Sequence, residues 1–339
     1  MMIQLSYEQT TRWLDEIAGK HELIAPRDVG GKLLYRPVAG ANEISMQFQR
    51  PVLSIKESFF PPTERLLEIK VHGRQVQLCT TYPEVSQVIF GVRPCDGRGM
   101  KILDGAFLHS APQDPYYSRR RENTTLIGLA CEEMGPNCFC TAMGLSPDDP
   151  GDMDLMLYPV SGGYLLETVS EKGRQLLQAN QPQGSEVQAE RPAHTYEPAF
   201  ETQPPPQGSW TDHFHDAFWQ ATAERCLSCR ICAYVCPTCR CFDLRDEETM
   251  SGNGTKHYER VRCWDSCASN PYRRIAGGHN SRPEKGQRLR NRYLCKFDYF
   301  AVQYGLEAPA CTGCGRCIEA CPVDIDISEV MNHIMEVSA

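Results

Sequence analysis

Apolar runs separated by polar breaks predict an α/β domain over residues 1–178. Residues 7–20 (YEQTTRWLDEIAGK) have helical composition and a stop signal at Gly19. The stretches LIAPRD, KLLYRPV and SIKESFFPPTERLLEIKV read as short strands and loops broken at Pro61 and Pro62, with no sheet order legible. Ser58, Phe59 and Phe60 read there as core or loop packing. Next comes a compact apolar strand, residues 87–92 (QVIFGV), then a glycine-bearing turn, 93–99 (RPCDGRG), and a helix over 100–107. Such a unit places functional residues at the C-terminal end of its strand. A second apolar strand covers 125–130 (TLIGLA). Residues 152–170 read as a hairpin through Ser161-Gly162-Gly163, and 171–178 as a helix.

The pattern then lapses. Residues 179–209 are rich in Gln, Pro and Glu and include QPPPQG at 203–208, a composition that reads as an extended linker. Beyond it, residues 210–223 predict a helix with Phe214, Ala217, Phe218 and Ala221 in register. His213 and His215 read as solvated at its start. Residues 326–338 predict a closing helix.

The chain is ordinary in hydrophobic content at 41% and carries a net charge of −8, which argues against nucleic-acid binding. No apolar run reaches the length of a membrane span. The N-terminus lacks a basic region followed by an apolar core, so no signal peptide is expected. Eighteen cysteines are the unusual feature. They cluster as metal ligands do, rather than scattering as in a short secreted disulfide scaffold, which points to a reducing cytoplasm.

The clusters follow a rule. Cys311-Thr312-Gly313-Cys314-Gly315-Arg316-Cys317-Ile318-Glu319-Ala320-Cys321-Pro322 is C-x2-C-x2-C-x3-C-P, and Cys226, Cys229, Cys232, Cys236 and Pro237 repeat it. This is the run of bacterial two-cluster ferredoxins, in which the fourth cysteine ligates the other cluster. Three closely spaced cysteines wrap a tight loop. The fourth is expected to begin a short helix, turned away by its proline. One [4Fe–4S] cluster is therefore expected on Cys226, Cys229, Cys232 and Cys321, and a second on Cys311, Cys314, Cys317 and Cys236. Zinc is the alternative, but zinc rarely uses a third evenly spaced cysteine and a trailing C-P. The fold class expected is thus an N-terminal α/β domain (1–178), a Pro/Gln-rich linker (179–209) and a bacterial-type two-cluster ferredoxin-like domain (210–339) with a large insert at 237–310.

A further set lies at the ends of the two apolar strands, where Cys95 and Cys131 are followed by Cys138 and Cys140. If the strands are neighbours, four thiolates converge, the number a third [4Fe–4S] cluster needs. A structural zinc or buried thiols packed as small apolar residues are the alternatives. Cys79 reads as a buried thiol. The insert adds Cys239, Cys241, Cys263, Cys267 and Cys295. Cys239 and Cys241 read as thiols packed beside the clusters, with a further site shared with Cys263 and Cys267 as the alternative. Between Lys256 and Lys296 eleven Lys or Arg face three Asp or Glu. That surplus would raise the potential of an anionic cluster, dock an acidic partner, or form a solvated face.

The combination G-V-R-P-C-D, D-P-Y-Y (114–117), C-x6-C-F-C, C-P-T-C, W-D-S-C (264–267) and C-T-G-C-G-R-C resembles the [4Fe–4S] dicluster family. That family comprises the iron–sulfur β subunits of cytoplasmic sulfhydrogenases and the corresponding iron–sulfur component of anaerobic sulfite reductase. The likeness runs from about Val88 onward. It implies an electron-transfer component of a hetero-oligomer, between a flavin- and NAD(P)H-binding partner and a catalytic redox partner of hydrogenase, sulfite reductase or heterodisulfide-reductase type. The competing reading is a catalytic oxidoreductase whose N-terminal domain binds a flavin or small substrate. No acid/base or nucleophile constellation and no nucleotide fingerprint is legible.

Overall fold

The computed structural model describes residues 2–338 apart from 207, 253, 307 and 308. Gln207 of the expected linker and Asn253, Glu307 and Ala308 of the expected insert therefore lie outside the described residues.

The larger of two sheets contains β1 (Met2–Ser6), β2 (Glu22–Val29), β3 (Lys32–Val38), β6 (Gln87–Val92), β7 (Thr124–Leu129), β8 (Leu155–Val160), β9 (Gly163–Thr168) and β10 (Ser185–Val187). Its order is β10-β1-β9-β8-β7-β6-β2-β3. The central ladder β2-β6-β7-β8 is parallel. On one face Ile89, Val92, Leu126 and Met156 pack with Met100 and Leu103 of the helix Pro94–Phe107. On the other, Val88, Phe90, Ile127 and Leu129 pack with Trp13, Leu14 and Ile17 of the helix Tyr7–Ala18. Burial on both faces explains why QVIFGV and TTLIGL are almost continuously apolar. The hairpin β8–β9 turns through Ser161 and Gly162, where its turn chemistry predicts.

The smaller sheet joins distant parts of the chain. Its order is β11-β12-β4-β5, with β4 (Thr63–His72) and β5 (Gln75–Thr80) from the N-terminal region and β11 (Phe242–Gly252) and β12 (Thr255–Trp264) from the insert. The N-terminal pattern is illegible here because β4 completes its pairing with a strand almost two hundred residues away. The joint is fixed by Arg262, 1% exposed, which forms ion pairs with Glu64 and Asp114. Asp114 also caps the helix Pro115–Glu122, accepting from the backbone N–H of Tyr116 and Tyr117. The D-P-Y-Y run is thus a structural clamp.

The helix carrying Cys95 begins at Pro94, six residues before the expected start at Met100. Proline at the first position presets φ and has no N–H to leave unpaired, so what reads as a turn is the first helical turn. Its glycines allow close approach: a Cβ on Gly99 would lie 2.7 Å from Pro237 Cβ, the proline that follows Cys236. A third core forms from Trp210, Trp219, Tyr293, Phe297, Ile327 and Met331. It draws on the helices Lys285–Leu294 and Ile327–Ser338, the turn Cys295–Tyr299, and the short helices that carry Trp210 and Trp219. The single helix expected over 210–223 is instead two short ones, Ser209–Asp212 and Phe218–Arg225. Among the described residues no helix is long and apolar enough to cross a membrane.

Candidate metal centres

The two cysteine runs adopt the same backbone. In the first, Ser228 and Arg230 have φ of 54° and 69°; in the second, the equivalent Gly313 and Gly315 have φ of 64° and 72°. In both, the third cysteine enters a four-residue helix, Ile231–Tyr234 or Arg316–Glu319. Cys236 and Cys321 follow those helices rather than beginning them, which corrects the expectation above. The reason is the proline behind each, which disfavours a helical residue before it and so ends the helix. Backbone donors also repeat: Ser228 N–H points to Cys226 Sγ at 3.4 Å, and Gly313 N–H hydrogen-bonds to the Cys311 thiol.

Cys226, Cys229, Cys232 and Cys321 line one cavity, with Arg292 at its wall. Cys236, Cys311 and Cys317 lie within mutual electrostatic reach, as do Cys314 and Cys317. The structure therefore brings both interlocked sets together, each combining three cysteines of one run with the fourth of the other.

Cys95, Cys131, Cys138 and Cys140 also converge, lining one narrow cavity together with Cys314. Cys95 comes from the first turn of the helix after β6, and Cys131 follows β7. The loop bearing Cys138 and Cys140 lies directly on the second ferredoxin run. Phe139 N–H donates to Gly313 O at 2.8 Å, and a Cβ on Gly315 would overlap Asn137 O. Only glycine satisfies both the positive φ and this backbone-to-backbone contact. Arg316 locks the junction: its guanidinium holds Asp96 in a two-pronged, fully buried pair at 2.6 and 2.8 Å and donates from Nε to Pro51 O at 3.0 Å.

The charges suit an anionic, sulfur-rich group. Burial pushes the Cys140 and Cys311 thiols up to about 12 and Cys317 to about 11, countered at Cys311 by Lys296 and at Cys317 by Arg292. Buried thiols of this kind become thiolates when a metal supplies the positive charge. Arg292 lies within electrostatic reach of both Cys232 of the first set and Cys317 of the second. Its Nε and Nη2 are buried without a hydrogen-bond partner, as are Tyr293 Oη and Thr312 Oγ1. An orphaned buried donor costs about 1–3 kcal/mol, and cluster sulfides are the acceptors these would meet. Among the described residues no three His, Cys, Asp or Glu side chains are grouped to hold a single metal ion. A cubane asks for wider spacing, because each thiolate binds its own iron. All eighteen cysteines lie outside disulfides.

Sequence reasoning missed the cations. Lys56, Lys296, Arg292 and Arg316 are all at least 96% buried, and only the surplus of basic residues in the insert hinted at them. His213, set aside as solvated, contacts Ser338 Oγ at 3.0 Å.

Residues 225–325 match the family model of the 4Fe-4S dicluster domain. The chain is 34% identical over 314 residues, covering 89% of both chains, to sulfhydrogenase 2 subunit beta of Pyrococcus furiosus. No solved structure matches the chain. The chain belongs to the [4Fe–4S] dicluster family that includes this sulfhydrogenase β subunit.

Proposed function

We propose that the chain is the electron relay of a multi-component cytoplasmic oxidoreductase, carrying electrons between a flavin- and nicotinamide-binding partner and a catalytic redox partner. Cys226, Cys229, Cys232 and Cys321 hold one [4Fe–4S] cluster, Cys311, Cys314, Cys317 and Cys236 a second, and Cys95, Cys131, Cys138 and Cys140 a third. When bound, each cluster supplies one-electron redox chemistry. The rest belongs to the chain: the thiols fix each cluster's place, buried cations stabilise negative charge, and packed backbone excludes water.

The observation that carries this reading is the seating of the Cys311–Cys317 loop on the Asn137–Cys140 loop, with Cys314 in the wall of the Cys95 cavity. The N-terminal set thereby adjoins the ferredoxin runs, which supports a contiguous series of centres. The relative's status as a β subunit supports an assembled complex, and eighteen cysteines without a disulfide support a reducing compartment.

The test is the iron content and absorption spectrum of the anaerobically purified chain. Cys95→Ser should remove about four irons per chain and leave the others, and the spectrum should lack flavin bands. Unchanged iron in that variant would rule out the N-terminal cluster. Bound flavin, or substrate turnover by this chain alone, would favour a catalytic role.

A further inference from the structure

Six cysteines remain outside the three sets, and four of them meet. Cys241, Cys267 and Cys295 line a single cavity of about 630 Å³. The Cys267 thiol hydrogen-bonds to the Cys241 thiol and lies within electrostatic reach of Cys239 and Cys295. Cys239 in turn hydrogen-bonds to Cys236 of the second set.

The fold explains the meeting. Cys241 immediately precedes β11 and Cys267 follows β12 by three residues, so the Phe242↔Trp264 register brings their ends together. Asp265 N–H closes this base by donating to Cys241 O at 2.9 Å. Cys295 ends the helix Lys285–Leu294 at the start of a wider π turn, Cys295–Tyr299, a feature frequent at functional sites. Cys263, which the sequence grouped with these thiols, is paired within the smaller sheet opposite Asp243 and Thr63. It neighbours Arg262, whose guanidinium lies over the rings of Phe60, Phe107 and Phe242, so its own side chain points to the opposite face.

The surrounding charge is a second, independent observation. Lys56, 2% exposed, donates to Cys239 O at 3.2 Å and sits 3.9 Å over the Trp264 ring. Lys296, 4% exposed, reaches Cys236 Sγ and Thr238 Oγ1, both at 3.0 Å. Among the described residues neither lysine has a carboxylate partner. Arg240 Nη1 approaches Cys295 Sγ at 3.7 Å. Burying an ammonium group without a counter-anion costs several kcal/mol; the second set answers Lys296 through Cys236, and an anionic group held by Cys239, Cys241, Cys267 and Cys295 answers Lys56.

We propose that Cys239, Cys241, Cys267 and Cys295 hold a fourth [4Fe–4S] cluster, adjoining the second through Cys236 and Cys239 and facing the open cavity. It rests on the reading of the chain as an iron–sulfur relay. It makes the second cluster a branch point, with one neighbour through Cys314, another through Arg292 and the new one through Cys239. Of the eighteen cysteines only Cys79 and Cys263 then lack a cluster.

The test uses the full chain purified anaerobically, with iron, acid-labile sulfide and zinc measured per chain. Cys267→Ser and Cys295→Ser should each lose about four iron and about four sulfide, and Cys263→Ser should keep the wild-type content. Wild-type iron in both variants, or a bound zinc lost in place of iron, would overturn the proposal. Cys95→Ser, measured alongside, separates the two readings, because its loss concerns the N-terminal set alone.

Discussion

Replacing Lys296 by Met removes a buried positive charge whose Nζ lies 3.0 Å from Cys236 Sγ. Met fills a similar volume, and Thr238 keeps its bond to Ala310 O at 2.8 Å, so the substitution acts mainly through charge. A cation stabilises the reduced, more negative state of a neighbouring cluster and so raises its potential; removing it lowers the potential. At an effective dielectric of about 20, unit charges 3.0 Å apart interact by roughly 5 kcal/mol. The added electron spreads over a cubane whose far atoms lie two to three times farther away, which leaves about 2 kcal/mol. For one electron, about 1.4 kcal/mol corresponds to about 59 mV, so the second cluster should fall by on the order of 80 mV. An EPR-monitored redox titration of the full chain reads this directly, with iron content checked to be unchanged. A potential that stays put or rises would refute the reasoning.

Other expectations follow from the same contacts. Arg316→Met strands Asp96 in a fully buried site and should cost about 3–5 kcal/mol in anaerobic denaturant unfolding. Adding Asp96→Asn should recover much of that loss, and additive losses would argue against the pair. Gly315→Ala should dislodge the loop from Asn137 and lower iron retention. Arg230→Gly, at the equivalent left-handed position of the other run, should instead gain up to about 1 kcal/mol, and equal behaviour of the two variants would contradict the docking contact. Unfolded anaerobically with an iron chelator and no reductant, and separated from released sulfide, the chain should titrate all eighteen thiols; a deficit of two or more would reveal a disulfide.

What was legible in the sequence was what local rules dictate. The apolar strands β6 and β7 were visible because both faces are buried, and the interlocked cysteine sets because their spacing is set by the loop that wraps them. Cys95, Cys131, Cys138 and Cys140 could be grouped because parallel neighbours present the same end. Long-range pairing was not legible. Nothing local tells β4 that its partner is β12, or Cys241 that Cys295 will arrive from a helix more than fifty residues on. The glycines of R-P-C-D-G-R-G misled because they serve close packing on Met153 and Pro237 rather than a turn. Gly313 and Gly315 read as parts of a motif, and only the structure shows them seating it on a second thiol-bearing loop.

The most direct test of the account is the iron and acid-labile sulfide content of the unsubstituted chain, purified without exposure to oxygen. Four thiol sets predict about sixteen of each per chain. About eight would confine the clusters to the two ferredoxin runs and contradict both the N-terminal and the insert centres.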